Sequence, residues 1–255
     1  MGGILQDLRQ AFRLLQKSPG LTISAALCIA LGIGANSATF SFTHSLLFRE
    51  LPAKQPENLV RVFARWTTGT KYGAFSYPDY VDVRDNNNVF TGLVASSIQP
   101  YHLSTGDRNE RVWGLCVSGN YFSELGVKPA LGRTLLPEED RLGSAQPVLV
   151  IGYSLWQRRF AGNPDVIGST IRLNGRTFSI IGITPVDFNG TEVGIRSDVF
   201  VPITFTDQFS PGRSQLSQRG SHWIGSIIGR LKPGVTIEQA RSAIHAIMSH
   251  LTTQY

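Results

Sequence analysis

The sequence predicts an α+β protein in which one N-terminal transmembrane helix precedes a folded domain of mixed helices and strands. Three observations carry this. From Leu21 to Phe48 there is no Lys, Arg, Asp or Glu. Beyond that run, short apolar segments of strand type alternate with stretches of helical periodicity. Asn174-Gly175 joins two such segments, and this pair best accepts the two positive φ angles of a tight hairpin. The 255 residues suffice to bury a core without covalent staples.

Composition narrows the function. Hydrophobic residues make up 42% and charged residues 16%, because the apolar run carries almost no charge. The net charge of +6 is dispersed: between Arg49 and Tyr255 no Lys/Arg run exceeds Arg158-Arg159, which argues for a mixed solvated surface and against nucleic-acid binding. Cys28 lies in the apolar run and Cys116 in the domain, so a disulfide between them is not expected.

Residues 1–18 pattern as an amphipathic helix, with Leu5, Leu8, Phe12 and Leu15 at helical spacing and Gln6, Arg9, Arg13 and Gln16 between them. Such a segment would lie on the cytoplasmic face of the bilayer before the chain turns at Ser18-Pro19-Gly20. Residues 19–50 then read as the transmembrane helix and a stalk, since about 20 apolar residues cross the hydrocarbon core. Arg9, Arg13 and Lys17 against Asp7 place the N-terminus inside and the domain outside. The rival is a cleaved secretory leader, with Ala35-Asn36-Ser37 as a weak cleavage site. The length of the apolar run and the patterned segment before it favour the anchor. Within the span, Ala26, Ala30, Gly34 and Ala38 recur every four residues, a small-residue face on which another helix can pack closely, with Asn36 and Ser37 available for hydrogen bonds.

Leu59 to Phe63 then reads as a strand, and Ser76-Tyr-Pro-Asp-Tyr80 as a helix start, with Ser76 as N-cap and Pro78 in the first turn. Asn86-Asn87-Asn88 stops that helix and Phe90 to Ala95 begins a strand. Val148 to Ile151 is a buried-type strand, followed by a helix from Ser154 to Phe160 that Asn163-Pro164 breaks. Thr170–Leu173 and Thr177–Ile181 form the hairpin. Thr206 to Ser221, rich in Ser, Gln, Gly and Arg, reads as an exposed loop. Trp223 to Leu231 is a strand, and Thr236 to His250 an amphipathic helix with a Thr236/Gln239 capping box and Ile237, Ala240, Ile244, Ile247 and Leu251 on one face.

Catalytic signatures are not found. No segment fits the phosphate-binding P-loop, and Gly32-Ile-Gly34 lies in the span and not after a strand. His44, His102, His222, His245 and His250 lack the spacing of a zinc hydrolase, and Ser154 lacks the glycines of a nucleophile elbow. Glu138-Glu139-Asp140 after Pro137 reads most simply as a solvated loop or helix start. No catalytic, cofactor-binding or metal-binding residue is assigned.

Several stretches, taken jointly, resemble the MacB-like permeases of ABC transporters. They are Asp7-Leu-Arg-Gln-Ala-Phe-Arg-Leu-Leu15 with Lys17-Ser-Pro19, Ala30-Leu-Gly-Ile-Gly-Ala-Asn36, Ser76-Tyr-Pro-Asp-Tyr80, and Val117-Ser-Gly-Asn-Tyr-Phe122 with Leu125-Gly-Val127 and Leu131-Gly-Arg133. Leu155-Trp-Gln-Arg-Arg-Phe160, Leu173-Asn-Gly175 with Ile181-Gly-Ile183, and Arg230-Leu-Lys-Pro-Gly234 complete the set, in the family's order. The flavour is that of the acidobacterial-type predicted permeases.

The resemblance implies a periplasmic core domain over 51–255, with a discontinuous α/β subdomain (approximately 51–130 and 220–255) and an inserted β-rich subdomain (approximately 131–219). It implies an inner-membrane permease component of an export or mechanotransmission system, itself not an enzyme, coupled to ATP hydrolysis by a separate cytoplasmic ABC ATPase. Its implied partners are a second permease as homodimer or heterodimer, a periplasmic adaptor and membrane lipid, with no nucleic acid. Such permeases continue into three further spans, so the single apolar run here implies a truncated product or an excerpt. The alternative is a stand-alone, membrane-anchored binding or sensing domain.

Overall fold

The computed structural model describes residues 17–47, 53–64, 72–106, 108–143, 146–209 and 215–254. The chain divides into two compact units, Met1–Glu50 and Leu51–Tyr255.

Among the described residues the first unit holds helix α1, Pro19–Leu47. Pro19 opens it because its missing N–H is one the first turn cannot pair in any case. The 29 residues of α1 extend about 43 Å at 1.5 Å per residue, beyond the roughly 30 Å of a hydrocarbon core. Its stretch Thr22–Ser41 is long and apolar enough to cross a membrane. Three hydroxyls bond back one turn, Thr22 to the Ser18 carbonyl, Ser24 to Gly20 and Thr39 to Ala35, which satisfies them without water. Apart from Lys17 and Ser18, the expected amphipathic segment 1–18 lies outside the described residues.

The second unit is organised by a nine-stranded sheet. Its strands are β1 (Leu59–Val62), β2 (Phe90–Thr105), β3 (Arg108–Val117), β4 (Leu131–Gly132), β5 (Val148–Ile151), β6 (Thr170–Leu173), β7 (Arg176–Ile183), β8 (Val199–Pro202) and β9 (Ser226–Leu231). The helices are α2 (Tyr77–Asn86), α3 (Tyr121–Leu125), α4 (Tyr153–Phe160), α5 (Thr206–Phe209) and α6 (Ile237–Gln254).

The hydrogen-bonded path runs β1-β9-β2-β3-β8-β5-β7-β4, and β6 pairs with both β2 and β7. Strands β2, β3, β8, β5, β7 and β6 therefore close a ring, which removes open edges from those strands. Closure rests on two register pairs, Leu103 with Leu173 and Ser104 with Arg172. Alternate residues of every ring strand, among them Tyr101, Val112, Val199, Ile151, Phe178 and Leu173, join one buried cluster. Phe205 and Phe209 add rings to that cluster, Phe209 lying 5.2 Å from Tyr101 and 5.7 Å from Phe178 between centroids.

The same cluster continues to the proximal half of β2, where Tyr80 and Val83 of α2 and Ala240 of α6 are buried. The opposite face of the sheet is covered by Tyr121, Phe122 and Leu125 of α3, packed with Phe188 and Phe200.

Several expected elements form for the stated reasons. The Ser76 hydroxyl accepts from the Asp79 N–H, and the Thr236/Gln239 capping box is reciprocal. Asn174 and Gly175 adopt φ of 47° and 82° at the hairpin turn.

Other expectations are corrected. Thr206–Ser221 is not wholly an exposed loop: Thr206–Phe209 forms α5, and Thr206 and Leu216 are buried. The Asp207 carboxylate accepts from the Gln215 and Leu216 N–H groups, so polar side chains here satisfy backbone instead of facing water. The last strand begins at Ser226, because Ile224 bridges Phe75 instead. Ile237 is exposed, its neighbours on the same helix face being partly or fully buried.

Candidate functional site

Two sets of residues stand out: the small residues spaced along α1, and the fasteners that tie the sequence-distant segments of the domain together.

Ala26, Ala30, Gly34 and Ala38 all lie within α1 and are exposed, and their four-residue spacing sets them along one side. A Cβ built on Gly34 meets nothing within 4 Å. The apolar side chains around them, including Leu31 and Ile33, are exposed as well.

The first fastener is Asp140. Pro137 starts a one-turn 3-10 helix, Pro137–Asp140, which turns the Asp140 carboxylate inward. One oxygen accepts from the Gly119 N–H at 3.0 Å; the other accepts from the Thr204 N–H at 3.1 Å and hydroxyl at 2.9 Å. One side chain thus joins the β3–α3 turn, the 3-10 helix and the segment after β8. Burial pushes its pKa up to about 6, against the pull of its three donors and of Arg84. Beside it, burial and the Asp140 charge raise the Tyr77 phenol well above its usual range. Tyr77, Arg84, Asp85, Gly119, Asp140 and Arg141 are among the residues around a cleft of about 520 Å³.

Glu138-Glu139-Asp140 is therefore not simply solvated. Glu139 is buried and held by Arg133 through two hydrogen bonds of 2.9 and 2.6 Å, and it accepts from the Leu136 N–H. Burial alone would raise its pKa, but the Arg133 hydrogen bonds, the Leu136 N–H and the Arg133 charge together outweigh it and the shift is downward.

A second fastener holds the segment between β7 and β8. The Arg61 guanidinium donates to the Thr191 carbonyl at 2.8 Å, and Tyr121 donates to the Thr191 hydroxyl at 3.0 Å. A third is Arg219, paired with Asp79 at 2.7 Å and Asp82 at 2.5 Å on α2. The Trp223 indole donates to the Gln215 carbonyl at 3.1 Å in the same segment.

These contacts match donors to acceptors and form no nucleophile–base pair. Cys116 is fully buried, and burial pushes its thiol up to about 11, the opposite of an activated thiolate. Among the described residues no group of three or more His, Cys, Asp or Glu is placed to hold a metal ion. The fasteners escaped sequence reasoning because their partners are far apart in the chain. Gly119, within the Val117–Phe122 motif, was the available signal.

The family profile described as the MacB-like periplasmic core domain matches residues 22–247. The chain belongs to this family. Its helix α1 holds a stretch long and apolar enough to cross a membrane, and the domain after it is of the MacB-like periplasmic core type. A curated relative, the macrolide export ATP-binding/permease protein MacB of Chlorobium luteolum, is 25% identical over 173 residues, covering 67% of this chain. The chain spans about a quarter (24%) of that relative's length.

Three solved structures share the MacB-like fold. The periplasmic region of MacB from Actinobacillus actinomycetemcomitans aligns with a TM-score of 0.57 at 16% identity, covering 76% of this chain and 82% of that one. The extracellular domain of the noncanonic ABC-type transporter YknZ from Gram-positive bacteria gives 0.53 at 13%, covering 73% and 88%. A domain of a permease protein from Porphyromonas gingivalis gives 0.52 at 18%, covering 70% and 72%.

Proposed function

We propose that this chain is a non-enzymatic permease component of an ABC-type export or mechanotransmission system. It passes motion driven by ATP hydrolysis in a separate cytoplasmic subunit to its extracytoplasmic domain. The observation that carries this reading is the family match itself, which begins inside the apolar helix and runs through the domain to residue 247, treating helix and domain as one unit.

In this reading the N-terminus is cytoplasmic, α1 crosses the inner membrane, and the domain is periplasmic. The α/β part, approximately 51–130 and 220–255, lends β2 and β3 to the ring that the insertion, approximately 131–219, completes. Asp140, Thr191 and Arg219 transmit displacement between segments because each is a short, multiply bonded link. The face formed by Ala26, Ala30, Gly34 and Ala38 packs against helices of the same permease or of a second copy. An adaptor on the periplasmic side fits the same reading.

The test is co-purification from native membranes in mild detergent. The reading expects an ABC ATPase to be retained by the wild type and lost from Ala30→Leu/Gly34→Leu with the domain still folded. Retention by that variant would overturn the helix face. Absence of any ATPase from the wild type would overturn the permease reading and favour a stand-alone membrane-anchored binding or sensing domain.

A further inference from the structure

The outer wall of the strand ring has a bare half. Near α3 the wall is covered, with Leu115, Val117 and Phe200 buried under Tyr121 and Phe122. Farther along the same strands that cover stops. Strand alternation and register bring Trp113, Arg111 and Asn109 of β3 beside His102 of β2, Arg172 of β6 and Thr177 of β7 on one face, all exposed.

Two properties separate this face from an ordinary solvated one. The first is its charge. Glu110, the carboxylate of that part of β3, registers with buried Leu103 on the inner side and lies 3.7 Å from Arg158 and 3.9 Å from Arg159. Arg111 and Arg172 are both exposed on this face, and among the described residues neither forms an ion pair. Solvated faces mix both signs; among the described residues the charged side chains on this face, Arg111 and Arg172, are both cationic.

The second property is its order. The Arg111 guanidinium lies 5.5 Å from the centroid of the Trp113 ring, a cation–π contact that favours one arrangement of the two exposed side chains. Asn174 clamps the hairpin turn to β2, its side-chain oxygen accepting from the His102 N–H at 2.8 Å and its own N–H donating to the His102 carbonyl at 2.9 Å. The turn is thus held to the wall, and Trp and Arg are among the residue types enriched where protein interfaces are anchored.

We propose that this bare wall, centred on Trp113 and Arg111, docks an acidic segment of a partner protein. The inference rests on the wall alone and stands whether or not the chain serves a transporter. Carboxylates of the partner would meet Arg111 and Arg172, and an apolar side chain beside them would lie on the Trp113 ring.

The test uses the full chain in phosphatidylcholine nanodiscs and a fluorescent peptide of ten glutamates carrying one central leucine. Binding is expected at 50 mM salt and should weaken at least tenfold at 500 mM. Arg111→Glu/Arg172→Glu should weaken it at least tenfold, and Arg241→Glu on α6 should leave it unchanged. Arg111→Gln/Arg172→Gln, checked by circular dichroism, gives the same reading if the charge reversal does not fold. Trp113→Ala should weaken binding without changing its salt dependence. Equal binding by the wild type and both arginine variants overturns the proposal. So does binding to phosphatidylglycerol vesicles without binding to the peptide, which would make the wall a lipid-facing surface.

Discussion

The carboxylate of Asp140 and the backbone N–H of Gly119 meet at 3.0 Å, and only a glycine permits it. A Cβ on Gly119 would lie 2.7 Å from the Leu136 carbonyl, 2.8 Å from the Pro137 Cα and 2.9 Å from the Asp140 Cβ. Two of those atoms are backbone and cannot turn aside. Gly119→Ala is therefore expected to destabilise the domain by about 1–3 kcal/mol through overpacking. Urea unfolding of the full chain in detergent, followed by near-ultraviolet circular dichroism, measures it. An unchanged midpoint would show that the 3-10 helix is free to shift.

The raised pKa of Asp140 sets a pH dependence of definite sign. Its native value of about 6 exceeds the ordinary carboxylate value of 3.8, so the native state binds the proton more tightly than the unfolded chain. The contribution is fully present below about pH 4 and is lost as pH rises through about 6; at 1.36 kcal/mol per unit it is at most about 3 kcal/mol. Glu139 acts in the opposite sense, because its pKa is lowered and its stabilisation fades as pH falls. The clean quantity is the difference between wild type and Asp140→Asn. That difference should change between pH 4 and 7 and stay flat above pH 7. A flat difference throughout would mean that the three donors hold Asp140 ionised.

Gly132 and Gly182 are register partners across β4 and β7. A Cβ on Gly182 would fall on the carbonyl oxygen of Arg133, and one on Gly132 on that of Ile181. Both glycines belong to sequence motifs, Leu131-Gly-Arg133 and Ile181-Gly-Ile183, and steric closeness is the physical content of those motifs. Gly182→Ala is expected to cost about 3 kcal/mol or more, or to prevent folding, because the clash is with backbone. The thermal midpoint of the same preparation reads it, and Gly175→Ala gives the comparison. That substitution, at φ 82° with open space around it, should cost only about 1 kcal/mol.

What the sequence disclosed was local. The Asn174-Gly175 turn and the Thr236/Gln239 box are written within a few residues and are found where their chemistry demands. Ring closure was not legible in the sequence, since β2 and β6 meet through two register pairs between residues some seventy positions apart. The triplet after Pro137 does start a short 3-10 helix, but the burial of Asp140 is not legible for the same reason: its partners Gly119 and Thr204 arrive from elsewhere in the chain. Polar composition made Thr206–Ser221 look exposed, whereas Asp207 uses its carboxylate on the amides of Gln215 and Leu216.

Arg219 offers the most direct test of how the segment before β9 is held. Its guanidinium engages Asp79 and Asp82, one turn apart on α2, and the three side chains are only 28%, 13% and 27% exposed. Two planar contacts of this kind are replaced by a single point charge in Arg219→Lys and lost in Arg219→Ala. Arg219→Ala should cost about 1–2 kcal/mol, Arg219→Lys less. The sharper readout is hydrogen exchange of the Leu216 amide, which is bonded to Asp207 within the same segment. If Arg219 fastens the segment, that amide should exchange at least tenfold faster in Arg219→Ala while amides in the middle of β3 keep their rates. Equal acceleration everywhere would instead assign Arg219 to global stability, and no acceleration would leave Leu216 burial and the Trp223 bond as the true fasteners.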